Sequence, residues 1–199
     1  MTRTRLDAFR TDIQRARDLI GLGQSLGALT HGRVDSSDLF RAAIVQAVSA
    51  LDQYVHGIVL DLGVEILLGT RAPTPNSRVG LPFHAVERIV SAATQADREI
   101  ETRTHLAQRL STETFQRPDD IANALALVGI GRLWKSAFPN GPEQAKTSLG
   151  LVVTRRNRIV HQCDSDPLTP GSVTPLDAQG AADAVRTVEH VVMAIDTLY

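Results

Sequence analysis

Between Leu39 and Leu62 apolar side chains return every three or four residues: Leu39, Phe40, Ala43, Ile44, Ala47, Val48, Leu51, Val55, Ile58 and Leu62. A strand would alternate with period two, so a stripe held for roughly six turns at 3.6 residues per turn predicts one long helix. Ser36 or Ser37 can cap its start, and Gly69 is placed to end it. A helix this long, apolar along one side, has to act as a spine for shorter partners.

The remaining segments supply those partners. Leu6, Phe9, Ile13, Ala16 and Ile20 share helical spacing and predict an amphipathic helix ending near Gly21 or Gly23. Residues 69–82, with Pro73, Pro75, Gly80 and Pro82, read as a loop of a length more often functional or mobile than neutral. Pro82 then opens a helix through Val86, Ile89, Val90 and Ala93, followed by a polar helical stretch at 100–110. Pro118 begins another, with Ile121, Leu125 and Val128 inward and Gly129 and Gly131 loosening its end. Trp134 and Phe138 sit one turn apart as core anchors. A helix over 142–161 carries Leu149, Val152, Val153 and Val160. Residues 166–175 form a loop, and Thr174-Pro175-Leu176-Asp177 has the form of a capping box opening the last helix, with Val185, Val188, Val192 and Ile195. With no sustained alternation, repeat or linker, residues 1–199 read as a single all-α bundle.

Composition agrees. Apolar residues make up 43% and aromatics only 4%, so Leu, Val, Ile and Ala must build the core. The net charge of −1 excludes a globally basic nucleic-acid binder, but the charge is segregated. Over 131–162 the cations Arg132, Lys135, Lys146, Arg155, Arg156 and Arg158 face Glu143 alone, giving +5 there and −6 elsewhere. A single cysteine, Cys163, rules out an internal disulfide and suits the cytoplasm. The N-terminus lacks the apolar run of a signal peptide, and no stretch reads as a membrane span, so no membrane partner is expected.

The chemistry concentrates in Arg155-Arg156-Asn157-Arg158-Ile159-Val160-His161. Arginine presents a permanent fork of donors to phosphate, and histidine exchanges protons near neutral pH. At about 100° per residue Arg156 falls among Leu149, Val152, Val153, Ile159 and Val160, the wrong face for a surface arginine. Either it pairs with an acid inside the bundle, Asp52 for instance, or it projects into a cleft or subunit interface. His161 lies on the flank. There it can act on substrate, or simply place charge at a helix C-terminus.

The spacing Arg-Asn-x-x-x-His resembles the signature of the HEPN superfamily, and the stretch 39–56, LFRAAIVQAVSALDQYVH, resembles the long helix of its RiboL-PSP-HEPN branch. The resemblance covers most of the chain. It implies an antiparallel HEPN-type bundle with additional helices, dimeric, with the two motifs facing each other. It also implies a metal-independent ribonuclease of a bacterial defence or toxin-type system that leaves a 2′,3′-cyclic phosphate. Arg156 would stabilise the phosphate, His161 transfer the proton and Asn157 orient the site, with no cofactor. Arg155, Arg158, Lys146 and Arg132 are candidate RNA contacts, and Arg41, Asp52 and His56 candidate supporting residues. No His-x-x-x-His or Cys-x-x-Cys pair suggests a metal site. Related toxins often carry a tyrosine two residues after the histidine, modified by their partner. Cys163 stands there instead, which weakens the toxin-antitoxin reading and leaves a regulatory or neutralising partner as an expectation only. A non-catalytic module binding RNA, nucleotide or a protein is the competing reading.

Overall fold

The computed structural model describes residues 2–169 and 171–199. They form helices α1 (Thr2–Leu29), α2 (Ser37–Leu67), α3 (Phe83–Ser91), α4 (Gln95–Leu110), α5 (Pro118–Leu127), α6 (Leu133–Ala137), α7 (Pro142–Gln162) and α8 (Ala178–Asp196). Among the described residues no strand forms, and one isolated antiparallel bridge joins Ser165 to Val173. The chain is all-α.

The 31 residues of α2 span about 46 Å and make it the spine. Every inward position of its apolar stripe from Phe40 to Leu62 is buried, packed against α1, α4, α5, α7 and α8. Directions follow from the ion pairs and hydrogen bonds. Arg5 of α1 meets Asp61, and Gly23 meets Phe40, so α1 runs antiparallel to α2. Arg103 of α4 reaches Asp61 and the Leu110 carbonyl meets His56, making α4 antiparallel as well. Tyr54 donates to Asp196 of α8 while Arg41 reaches the Thr174 carbonyl just ahead of that helix, so α8 is parallel to the spine. The C-terminal end of α7 lies beside the N-terminal end of α2, where Arg41 meets Asp164.

Several expectations need correction. The first helix does not stop at Gly21 or Gly23 but continues to Leu29. Gly23 is a packing residue: an added Cβ would stand 2.6 Å from the Phe40 ring, so its missing side chain lets α1 and α2 approach. Ser36 occupies the cap position of α2 without a side-chain bond, and Asp35 Oδ1 accepts from the Ser37 amide instead. Pro82 caps α3 rather than opening it. The capping box at 174–177 does not form. Asp177 is the cap, accepting from the Gly180 amide at 2.8 Å. Finally, α2 is long and apolar enough by length and composition to cross a membrane, contrary to the expectation that no stretch would be. Its burial at the centre of the bundle explains the same apolarity.

Candidate active site

Helix α7 opens with Pro142 at its first turn and runs to Gln162. Leu149 and Val153 are fully buried against the spine, Val152 and Ile159 pack partly, and Val160 is 46% exposed, so the helix end overhangs the core. Arg156 is half-buried at this overhang. Its Nη1 donates to Asn157 Oδ1 at 3.1 Å, and its buried Nε has no partner. No carboxylate among the described residues pairs with it. The amide of Asn157 therefore aims a guanidinium whose charge is uncompensated. His161 stands exposed in the last turn, where a positive charge is favoured by the helix dipole. Five residues apart, Arg156 and His161 diverge by about 140° around α7, so one helix cannot bring both to one atom from the same side.

The neighbouring arginines behave differently. Asp164 is completely buried and gathers three of them. Arg155 Nη2 donates to its Oδ2 at 2.7 Å, Arg41 Nε to the same oxygen at 3.0 Å, and Arg158 Nη2 lies 3.7 Å from Oδ1. Arg41 and Arg155 also donate to the Thr174 carbonyl, at 3.0 and 2.9 Å. Cys163 and Asp164 both adopt left-handed backbone, with φ of 49° and 53°. Such conformations hold in non-glycine residues only where surrounding contacts over-determine them. The Asp164 amide closes on the Arg158 carbonyl at 3.0 Å, and its carbonyl accepts from the Thr174 amide at 2.9 Å.

The structure thus brings together Arg41, Arg155, Arg156, Asn157, Arg158 and His161 at one end of the bundle. Asp52 and His56 lie elsewhere, about 16 and 22 Å along the spine from Arg41. Asp52 is not the partner of Arg156. It accepts from the Phe115 amide at 2.6 Å and from Gln116 Nε2 at 2.9 Å, and pairs with His56 at 3.2 Å. The burial of His56 would lower its pKa, but the Asp52 carboxylate and the Asp52 and Leu110 carbonyls outweigh this and raise it. Burial likewise pushes Asp52 up, while bonds from His56, Gln116 and Phe115 bring it below the usual range. This pair straps the 111–117 loop to the spine.

Lys146 lies near the opposite end of α7, between Asp119 and Glu143. Arg132 is exposed ahead of α6, at a left-handed φ of 54°. Trp134 Nε1 donates to the Pro118 carbonyl, as befits a core anchor. Along the other flank of α7 runs a groove of about 710 Å³, shared with α8, with Leu151, Val152, Leu176 and Ala184 on its walls and Arg155 at its rim. Among the described residues no group of three or more His, Cys, Asp or Glu side chains is placed to hold a metal ion. The residue that sequence reasoning passed over is Asp164. Its only local signal is an acid directly after a basic helix end. No protein-family model, curated protein or solved structure matches the chain.

Proposed function

We propose that the chain is a metal-independent endoribonuclease of HEPN type, acting as a homodimer in the cytoplasm within a bacterial defence or toxin-type system. The observation that carries this reading is the unequal treatment of the arginines in one motif. Arg155 is hydrogen-bonded to Asp164 and Arg158 lies within ion-pair range of it, whereas Arg156 pairs with no carboxylate among the described residues and is aimed by Asn157. A half-buried cation without a counter-ion is unfavourable in the free protein and becomes favourable when an anion arrives. His161, four residues after Asn157 and exposed on a different side of the same helix end, is the proton carrier.

In the proposed reaction the RNA 2′-oxygen attacks the adjacent phosphorus and the bond to the 5′-oxygen breaks. One imidazole takes the 2′-hydroxyl proton and another delivers a proton to the departing 5′-oxygen, leaving a 2′,3′-cyclic phosphate and a 5′-hydroxyl. Arg156 neutralises the charge that builds on the phosphate oxygens. Because Arg156 and His161 diverge around one helix, two copies related by a two-fold axis would supply the two imidazoles and two guanidinium groups that flank one phosphate.

The test incubates the purified protein with mixed single-stranded RNAs in EDTA and analyses the new ends. Cyclic phosphates are expected, with turnover lowered about two to four orders of magnitude in His161→Ala, the range usual for a general acid or base. Loss of cleavage in EDTA, or a His161→Ala protein that cuts at the parental rate, would overturn the reading in favour of a binding module.

A further inference from the structure

We propose that Asp164 is a positioning residue for this site: it fixes the last turn of α7 and withholds Arg155 and Arg158 from RNA, so that Arg156 is the cation presented to the scissile phosphate. The inference rests on the ribonuclease reading for its catalytic part and on geometry for the rest.

Three separate segments close on this one residue. Arg41 from the start of α2 and Arg155 and Arg158 from the end of α7 meet its carboxylate, and Thr174 from the segment ahead of α8 meets its backbone. The Asp164 backbone completes the ring, its amide on Arg158 and its carbonyl on the Thr174 amide. Asp164 lies three residues beyond His161, so the same contacts set the direction in which the last turn, and with it the imidazole, leaves the bundle. A misplacement of about 1 Å at a reacting group can lower a rate by roughly a hundredfold.

Charge gives the second half. Arg155 and Arg158 keep side-chain exposures of 21% and 29%, enough to reach solvent if released, while Asp164 has none. With the carboxylate neutralised, both guanidinium groups become available to phosphates away from the scissile bond. RNA would then bind more tightly but out of register. Each added contact to a single strand steepens the salt dependence of log K by about 0.7.

The experiment compares the full-length parent with Asp164→Asn, which keeps the side-chain volume and removes the charge. It measures kcat and KM on a single-stranded RNA, the salt slope of binding, thermal melting, and hydrogen exchange of amides 159–164. The expected variant is folded, with kcat at least tenfold lower, KM equal or lower, a steeper salt slope, and faster exchange confined to 159–164. A folded variant with parental kcat, slope and exchange overturns the inference, as does a kcat loss that only tracks the unfolded fraction. If Asp164→Asn does not fold, Arg155→Gln carries the test, because Arg41 still holds Asp164. A lower kcat at unchanged KM is then expected, and a raised KM with normal kcat would show Arg155 touching RNA and overturn the withholding. Should the parent itself fail to cut RNA, the ribonuclease reading falls on its own. Exchange at 159–164 then decides the inference, selective loosening in the variant supporting the clamp and parental protection refuting it.

Discussion

Replacing two arginines by methionine, one at a time, separates the structural from the functional cations at this end of the bundle. Methionine keeps most of the aliphatic stem in each case, so the comparison isolates the guanidinium. Arg41 is 8% exposed and supplies one of the two short bonds to a fully buried carboxylate, along with bonds to Ser37 Oγ and the Thr174 carbonyl. Stranding a buried charge completely costs about 3–5 kcal/mol. Arg155 and Arg158 remain on Asp164, so Arg41→Met should cost less, about 2–3 kcal/mol. For a domain of this size that lowers Tm by about 4–12 °C. Arg156 gives up a single bond to an amide carbonyl on the adjacent residue, and its buried Nε had no partner to lose. Arg156→Met should therefore cost about 0.5 kcal/mol, a Tm change of roughly 1–2 °C. Thermal unfolding followed by helical circular dichroism, with RNA cleavage on the same samples, reads both quantities. The expected result is an Arg156→Met protein that melts like the parent and has lost cleavage. An Arg156→Met variant destabilised as much as Arg41→Met would refute the reasoning, since it would mean that Arg156 has a structural counter-ion after all.

Other perturbations test the fold independently. Gly21 faces open space within α1, so Gly21→Ala should stabilise by about 0.5–1 kcal/mol. Gly23→Ala should instead destabilise by about 1–2 kcal/mol through its clash with Phe40, and equal melting of the two would refute the close approach of α1 and α2. For the His56–Asp52 pair the signs are opposite. The raised pKa of His56 adds stability below its unfolded value of 6.5 that is lost as pH rises through the folded value, and the lowered pKa of Asp52 adds stability above 3.8 that is lost as pH falls. Urea unfolding should show the parent gaining more stability than His56→Gln on moving from pH 8.5 to 5.5, and parallel profiles would refute the strap. Light scattering at micromolar concentration should give a dimer, and a monomer that still cleaves RNA would refute the composite arrangement.

The elements were legible because helical periodicity is a local property. Leu39 to Leu62 carry their own face assignment, and Pro118 and Pro142 mark starts that the structure keeps. Where the reading failed, long-range contact replaced local chemistry. Gly21 and Gly23 look like helix breakers, yet Gly23 is demanded by Phe40, 17 positions away. Thr174 looks like a cap, yet its backbone is taken by Arg41, Arg155 and Asp164.

The same division holds at the candidate site. The sequence alone determined which residue types are present, a cation, an amide and an imidazole within six positions, and that they lie near a helix end. Helical periodicity set Arg156 apart on the apolar face but left open whether an acid pairs with it, and the sequence offered Arg155 and Arg158 as free for RNA. Only the tertiary structure decided which of the three are paired, because an arginine's availability depends on whether a carboxylate lies within reach. The deciding carboxylate, Asp164, is held by a left-handed turn and an arginine from α2 that lies 123 positions earlier in the chain.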